Sequence, residues 1–274
     1  MQILDQFTGF LSTTSLLPKE NLTGFQSFDF PDVQITDRLK KDLERIDHPR
    51  NSVLGKRMES FFEIAINHSE RYRLIDSNIQ IIENKQTLGE IDFLVYDEQY
   101  EKPLHVELVY KLYIYDENLA PEINRWIGPN RKDSFSEKLD KLKNRQFPIL
   151  FKPETLKYLK NLGLQQEEIE QQICFKAKLF TPAGFQDPRT AEINTECYSG
   201  KWFNFTEFSR FKGQDNLFFS PPKRSWSASP ESNKEWFTHS EMIKTIETLF
   251  EKQKSPLIWM KTKTAYQSFF VVWW

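Results

Sequence analysis

The stretch GEIDFLVYDEQYEKPLHVELVYK, residues 89–111, decides how this chain is read. It holds two apolar runs of strand length, rich in β-branched and aromatic residues, which extend to residues 88–96 and 104–115. The short connection between them makes the strands antiparallel neighbours. Yet the first carries Glu90 and Asp92, and the second carries His105, Glu107 and Lys111. Charged side chains enter a core only when paired or bound to a cation. Strand side chains alternate between faces. His105, Glu107, Val109, Lys111 and Tyr113 therefore share one face. Leu104, Val106, Leu108, Tyr110, Leu112 and Ile114 share the other, which is apolar apart from one phenol.

Outward from this stretch, Leu54, Met58, Phe61, Phe62 and Ala65 recur at helical spacing, predicting an amphipathic helix over 53–68 with Glu59 and Glu63 on one flank. Residues 73–83 predict a strand, with a turn at Lys85-Gln86. Downstream, Ser134 followed by Glu137 is a capping-box signal for a helix running to about residue 146. Its inward face carries Phe135, Leu139 and Leu142, and a neighbouring face carries Lys138, Lys141 and Arg145. Pro153 opens a further helix, Gly163 ends it, a polar helix is expected around LQQEEIEQQ, and 173–180 predict a fourth strand. Beyond Pro182 the pattern is loop and a short strand, then a Pro/Ser-rich loop with Lys223 and Arg224, a helix over 240–252, and a strand-like SFFVVWW.

The expected organisation is α/β, with a mixed central sheet flanked by helices. A helical N-terminal lead-in spans 1–51. An α-β-β-β-α-β core spans 52–182, with a helical insertion near 153–172. An aromatic-rich α+β extension over 183–274 packs on the core. Phe, Trp and Tyr make up 15% of residues, enough to supply an aromatic core, or a stacking platform for bases. The formal net charge of −2 does not advertise nucleic-acid binding, but a local basic stripe suffices for it. The N-terminus lacks the features of a leader, and no apolar run approaches the roughly 18 residues of a membrane span. Cys174 and Cys197 fit neither a zinc spacing nor a disulfide framework, and a reducing cytoplasm suits them. No Gly-rich phosphate loop or dinucleotide fingerprint is present.

Convergent Asp92 and Glu107 favour a hard divalent cation, Mg²⁺ or Mn²⁺, which takes oxygen ligands, retains water and can activate it toward a phosphate. Lys111 would stabilise the developing charge, and Glu59 could join as a ligand or orient water. The plain alternative is a buried ion-pair network, or a solvated edge face. Taken singly, His105 reads as a hydrogen-bonded core histidine, Glu90 as a solvated strand end, Glu63 as a helix-surface charge, and Lys138, Lys141 and Arg145 as solvated charges.

The helix with Glu59, the segment Gly89-Glu90-Ile91-Asp92, and His105-Val106-Glu107 with a following lysine together resemble the PD-(D/E)XK nuclease superfamily over about residues 52–180. More narrowly, LGKRMESFF, GEIDFLVYD and HVELVYKLYI look like a domain-of-unknown-function family within it. The resemblance implies a restriction-endonuclease-like core. It also implies that Asp92 and Glu107 ligate the metal, with the Leu108 carbonyl available as a third ligand, and that the helix after Ser134 approaches nucleic-acid backbone, which Lys138, Lys141 and Arg145 would hold by sequence-independent contacts. One residue departs from the pattern: the usual E-x-K lysine falls where Val109 stands, and Lys111 lies two residues farther, about 13 Å along the strand from Glu107 instead of about 7 Å. Lysine migration is tolerated in the superfamily. The expected function is a metal-dependent nuclease hydrolysing phosphodiester bonds with a metal-activated water. The alternative is an inactive scaffold of the same fold that binds a protein or nucleic-acid partner. The expected partner is nucleic acid and not a membrane; the sequence singles out no protein partner or homo-oligomer.

Overall fold

The alternation along residues 72–115 builds three long antiparallel strands. The computed structural model describes residues 2–18, 23–49, 54–185, 193–211 and 215–274. In chain order, α1 (Ile3–Leu11), β1 (Gln26–Ser27) and α2 (Asp37–Glu44) precede α3 (Leu54–Asn67), β2 (Tyr72–Glu83), β3 (Gln86–Asp97) and β4 (Lys102–Tyr115). Next come β5 (Trp126–Ile127), α4 (Phe135–Lys141), α5 (Pro153–Asn161) and β6 (Glu170–Pro182). The remainder is β7 (Tyr198–Asn204), α6 (Phe205–Ser209), β8 (Leu217–Phe219), α7 (His239–Phe250), β9 (Leu257–Lys261) and β10 (Tyr266–Val272).

These strands form one mixed ten-stranded sheet in the order β2-β3-β4-β6-β7-β10-β9-β8, with β1 beside β6 and β5 beside β4. β2, β3 and β4 are antiparallel neighbours, whereas β6 runs parallel to β4 and β7 parallel to β6. The C-terminal segment extends the core's sheet through β7 beside β6, and its Trp226, Ala228, Trp259 and Phe270 join the core shared with α1 and α3.

The face assignment on β4 holds. Leu104, Val106, Leu108, Tyr110, Leu112 and Ile114 belong to the core shared with Met58, Phe61 and Phe62 of α3 and Phe7 and Phe10 of α1. Val109 and Tyr113 belong to the opposite layer, with Phe135 of α4, Leu142 and Phe175. Most of the large fully buried side chains are aromatic: Phe62 packs at a tilt against Phe93, 4.4 Å between ring centres, and also meets Phe28 and Phe30. Such rings supply most of the apolar area that holds the layers together.

Local signals set the ends of elements. Ser134 accepts the Glu137 N–H at 3.2 Å and starts α4. Gly163, at φ +70°, follows α5 in the left-handed region that favours glycine.

Several elements differ from the sequence reading. The β2–β3 turn lies at Asn84-Lys85, both with positive φ (47° and 66°), one residue before Lys85-Gln86; a two-residue hairpin turn needs this conformation. The polar helix expected at LQQEEIEQQ is only a 3₁₀ turn, Gln166–Glu168, and Glu170 already belongs to β6. There the edge of β4 overrides the polar sequence, pairing Leu104 with Glu170 and His105 with Gln171. The helix after Ser134 leaves α-geometry at Leu142 for a π-helical turn, Leu142–Gln146, followed by a 3₁₀ turn, Phe147–Phe151. The extension holds two strands not foreseen, β8 and β9. The expected helix start at 53 and the loop over 186–192 lie outside the described residues. Among those described, no helix is long and apolar enough to cross a membrane, and both cysteines are buried and free.

Candidate active site

The sheet forks where the charged strand residues lie. β3 pairs with β2 along its whole length. It pairs with β4 only from Asp97↔Lys102 to Phe93↔Val106, while β4 stays paired with β6 as far as Ile114. Continuing the β3–β4 register by one pair sets Asp92 opposite Glu107, at the point where the hairpin arm peels away. The Asp92 carboxylate takes over there, its Oδ2 accepting the Leu108 N–H at 2.9 Å. A strand residue's N–H and C=O point to the same side, so the Leu108 carbonyl also faces the fork. The diverging arm rests on the turn after α4. A Cβ on Gly89 would lie 2.9 Å from the Ile149 Cδ1 methyl, which would have to shift to admit it.

Glu107 is fully buried and Asp92 half-buried, so solvent reaches the pair from the Asp92 side. A chain of hydrogen bonds holds Glu107. Gln171 donates to Phe147 O at 2.8 Å and lies 2.9 Å from His105 Nδ1. With the amide donating to Nδ1, the imidazole carries its proton on Nε2 and donates it to Glu107 Oε1 at 2.8 Å. Burial pushes His105 down to about 4, so it is a neutral orienting donor. Gln146 donates to the other carboxylate oxygen, Oε2. Lys138 donates to Gln146 Oε1 at 2.7 Å.

The electrostatics follow from this enclosure. Burial, then the neighbouring charge of Glu107, raises Asp92 to about 7. Burial raises Glu107 to about 7 against the pull of Lys138. Burial lowers Lys138. Among the described residues, neither acid makes an ion pair with lysine or arginine.

The other predicted residues fall around this pair. Glu59 is held by Lys56 at 2.7 Å, which also bonds Asn78 at 2.9 Å and lies 3.8 Å from Glu90. Glu59 is close enough for its charge to be felt at Asp92. Glu63 accepts from Ser77 at 3.4 Å on the flank of α3. Lys111 is on the predicted face but pairs with Asp133. Lys141 and Arg145 are exposed. Further cations lie near enough for their charges to be felt: Lys141 and Lys111 at Lys138, and Lys111 and Lys132 at Lys223. Two residues that complete the site, Gln146 and Gln171, carry no sequence signal. A π-helical turn, often found at functional sites, aims the first, and strand register places the second.

The donor set suits a hard cation. The carboxylates of Asp92 and Glu107 and the Leu108 carbonyl offer oxygen only, as Mg²⁺ requires, and Mg²⁺ fills its remaining positions with water. No cluster of three or more His, Cys, Asp or Glu side chains able to enclose a metal exists among the described residues. With two carboxylates and one carbonyl to offer, the site would leave a bound cation much of its water.

The model of the family described as Domain of unknown function (DUF1853) matches residues 32–269, and the chain belongs to that family. The matched span runs from before α2 into β10, so it takes in both the fork and the C-terminal part of the sheet. No curated protein and no solved structure matches the chain.

Proposed function

We propose that the chain is a metal-dependent nuclease of the PD-(D/E)XK kind. One observation carries the reading: a buried acid, Glu107, and a half-buried one, Asp92, from adjacent strands meet in the fork of the sheet, and among the described residues no lysine or arginine forms an ion pair with either. Like charges held this way are relieved by a proton or by a cation. The order α3-β2-β3-β4-α4-β6, with the short β5 inserted after β4 and α5 after α4, and β6 parallel to β4, supports a restriction-endonuclease-like core.

Asp92, Glu107 and the Leu108 carbonyl would hold Mg²⁺ or Mn²⁺. The bound ion would neutralise phosphate charge and lower the pKa of a coordinated water. His105 and Gln146 fix the Glu107 carboxylate. The charge-stabilising lysine role passes from Lys111 to Lys138, which reaches the pair through Gln146 and feels both acids. Lys111, Lys132, Lys141 and Lys223 form the track that holds a nucleic-acid backbone by sequence-independent contacts.

The scaffold reading has one observation in its favour: both Glu107 oxygens already accept hydrogen bonds. Cleavage of mixed DNA and RNA substrates with Mg²⁺ or Mn²⁺ separates the two. The nuclease reading expects cleavage that Asp92→Ala and Glu107→Ala each abolish. Cleavage surviving both substitutions refutes the site. A wild type that binds no cation and cuts nothing supports the scaffold.

A further inference from the structure

Arg57 poses a separate problem. It lies on α3 yet is only 8% exposed. Its Nη1 donates to Gln6 Oε1 at 3.1 Å, and its Nε is buried with no partner. Among the described residues no carboxylate pairs with it. The charge that perturbs it is another cation, Arg224. A guanidinium withdrawn from water with one neutral acceptor and a like charge beside it is a costly arrangement. It becomes favourable once an anion arrives.

There is room for one. A cavity of about 830 Å³ opens beside Arg57 and Arg224, between the start of α1 and the 222–235 loop. Gln6, Ser225 and Asn233 add hydrogen-bonding groups, and Phe219 adds a half-buried ring. Arg57, Arg224 and Lys234 face Asp5 and Glu235, one positive charge in excess. Asp5 is already engaged, accepting the Gln2 N–H at 3.0 Å. Guanidinium groups suit phosphate oxygens because their fork of N–H donors matches the spacing of two oxygens. The cavity is larger than a bare phosphate needs and lies within the usual range of small-molecule sites.

We infer that Arg57 and Arg224 form a binding site for the phosphate group of a small phosphate ester of mononucleotide size, with Phe219 offering a surface for its apolar or ring portion. The site does not use Asp92 or Glu107 and stands apart from the proposed nuclease reading.

The test is calorimetric and thermal titration of the full chain with inorganic phosphate and with adenosine 5′-monophosphate, against chloride at matched ionic strength. Either phosphate compound should raise Tm in a concentration-dependent way that chloride does not reproduce. Tighter binding of the nucleotide assigns the site to esters, and tighter binding of inorganic phosphate assigns it to the free ion. Arg224→Met, an exposed substitution that spares the core, should weaken binding about tenfold or more. Arg57→Met should lose the response while remaining at least as stable as wild type in phosphate-free buffer, because it removes an unpaired buried charge. A response equal to that of chloride, or one retained by both variants, overturns the inference.

Discussion

Replacing Asp92 by Asn should stabilise the protein at alkaline pH when no divalent cation is present. Burial, reinforced by the Glu107 charge, lifts Asp92 from 3.8 to about 7. An acid whose folded-state pKa is raised costs stability above that pKa. The cost is relieved as pH falls through about 7 toward the unfolded value of 3.8. At about 1.36 kcal/mol per pKa unit, the charge on Asp92 costs about 2–4 kcal/mol at pH 8. Asn keeps the shape and an oxygen to accept the Leu108 N–H, so little else is lost. Urea denaturation in chelator at pH 8 should show Asp92→Asn more stable by that amount, a rise of roughly 5–10 °C in Tm. The advantage should shrink steadily as pH falls from about 7 to about 4. Adding Mg²⁺ should stabilise wild type and narrow the gap, because cation and proton relieve the same repulsion. A variant less stable than wild type at pH 8, or an advantage that does not change with pH, would refute the reasoning.

Lys138→Met should leave cation binding at the acids intact and cut the cleavage rate by about 10²–10³-fold, measured in single-turnover assays. Lys111→Met should instead weaken nucleic-acid binding and reduce its salt dependence by about one phosphate contact, measured by titration at several salt concentrations. Lys178, which burial lowers from 10.5 to about 8, binds its proton more weakly folded than unfolded. Wild-type stability should therefore gain from this residue as pH rises from about 8 to 10.5. Lys178→Met should be more stable at pH 7 by about 1–3 kcal/mol, despite losing bonds to Ser227 O and Trp226 O, with the difference fading over that interval in thermal melts. Phe62→Ala removes the buried ring packed against Phe93 and should cost about 3–5 kcal/mol in denaturant melts.

The acid pair was legible because antiparallel pairing is arithmetic: once residues 88–96 and 104–115 are strands joined by a short turn, the position opposite Asp92 follows. The two faces of β4 were legible because period-two alternation survives in a long central strand. Lys138 was visible only as a basic residue on a helix flank. What brings it to the acids is the π-helical turn at 142–146, which re-aims Gln146 between Lys138 and Glu107 and leaves no signature in residue types. Gln171 was hidden for a related reason. It sits in a polar run with helical composition, and only pairing with β4 makes it a strand residue that reaches His105. Lys111 illustrates the limit of face assignment: it lies on the predicted face, but Asp133, from a loop without pattern, captures its ammonium.

The central claim is that Asp92 and Glu107 together hold one divalent cation, and a Mn²⁺ titration followed by electron paramagnetic resonance tests it most directly. Wild type should take up a single Mn²⁺ per chain, more tightly as pH rises through about 7, and both Asp92→Asn and Glu107→Gln should lose it while staying folded. Undiminished Mn²⁺ binding in both variants, or none in wild type at any pH where it is folded, would contradict the account.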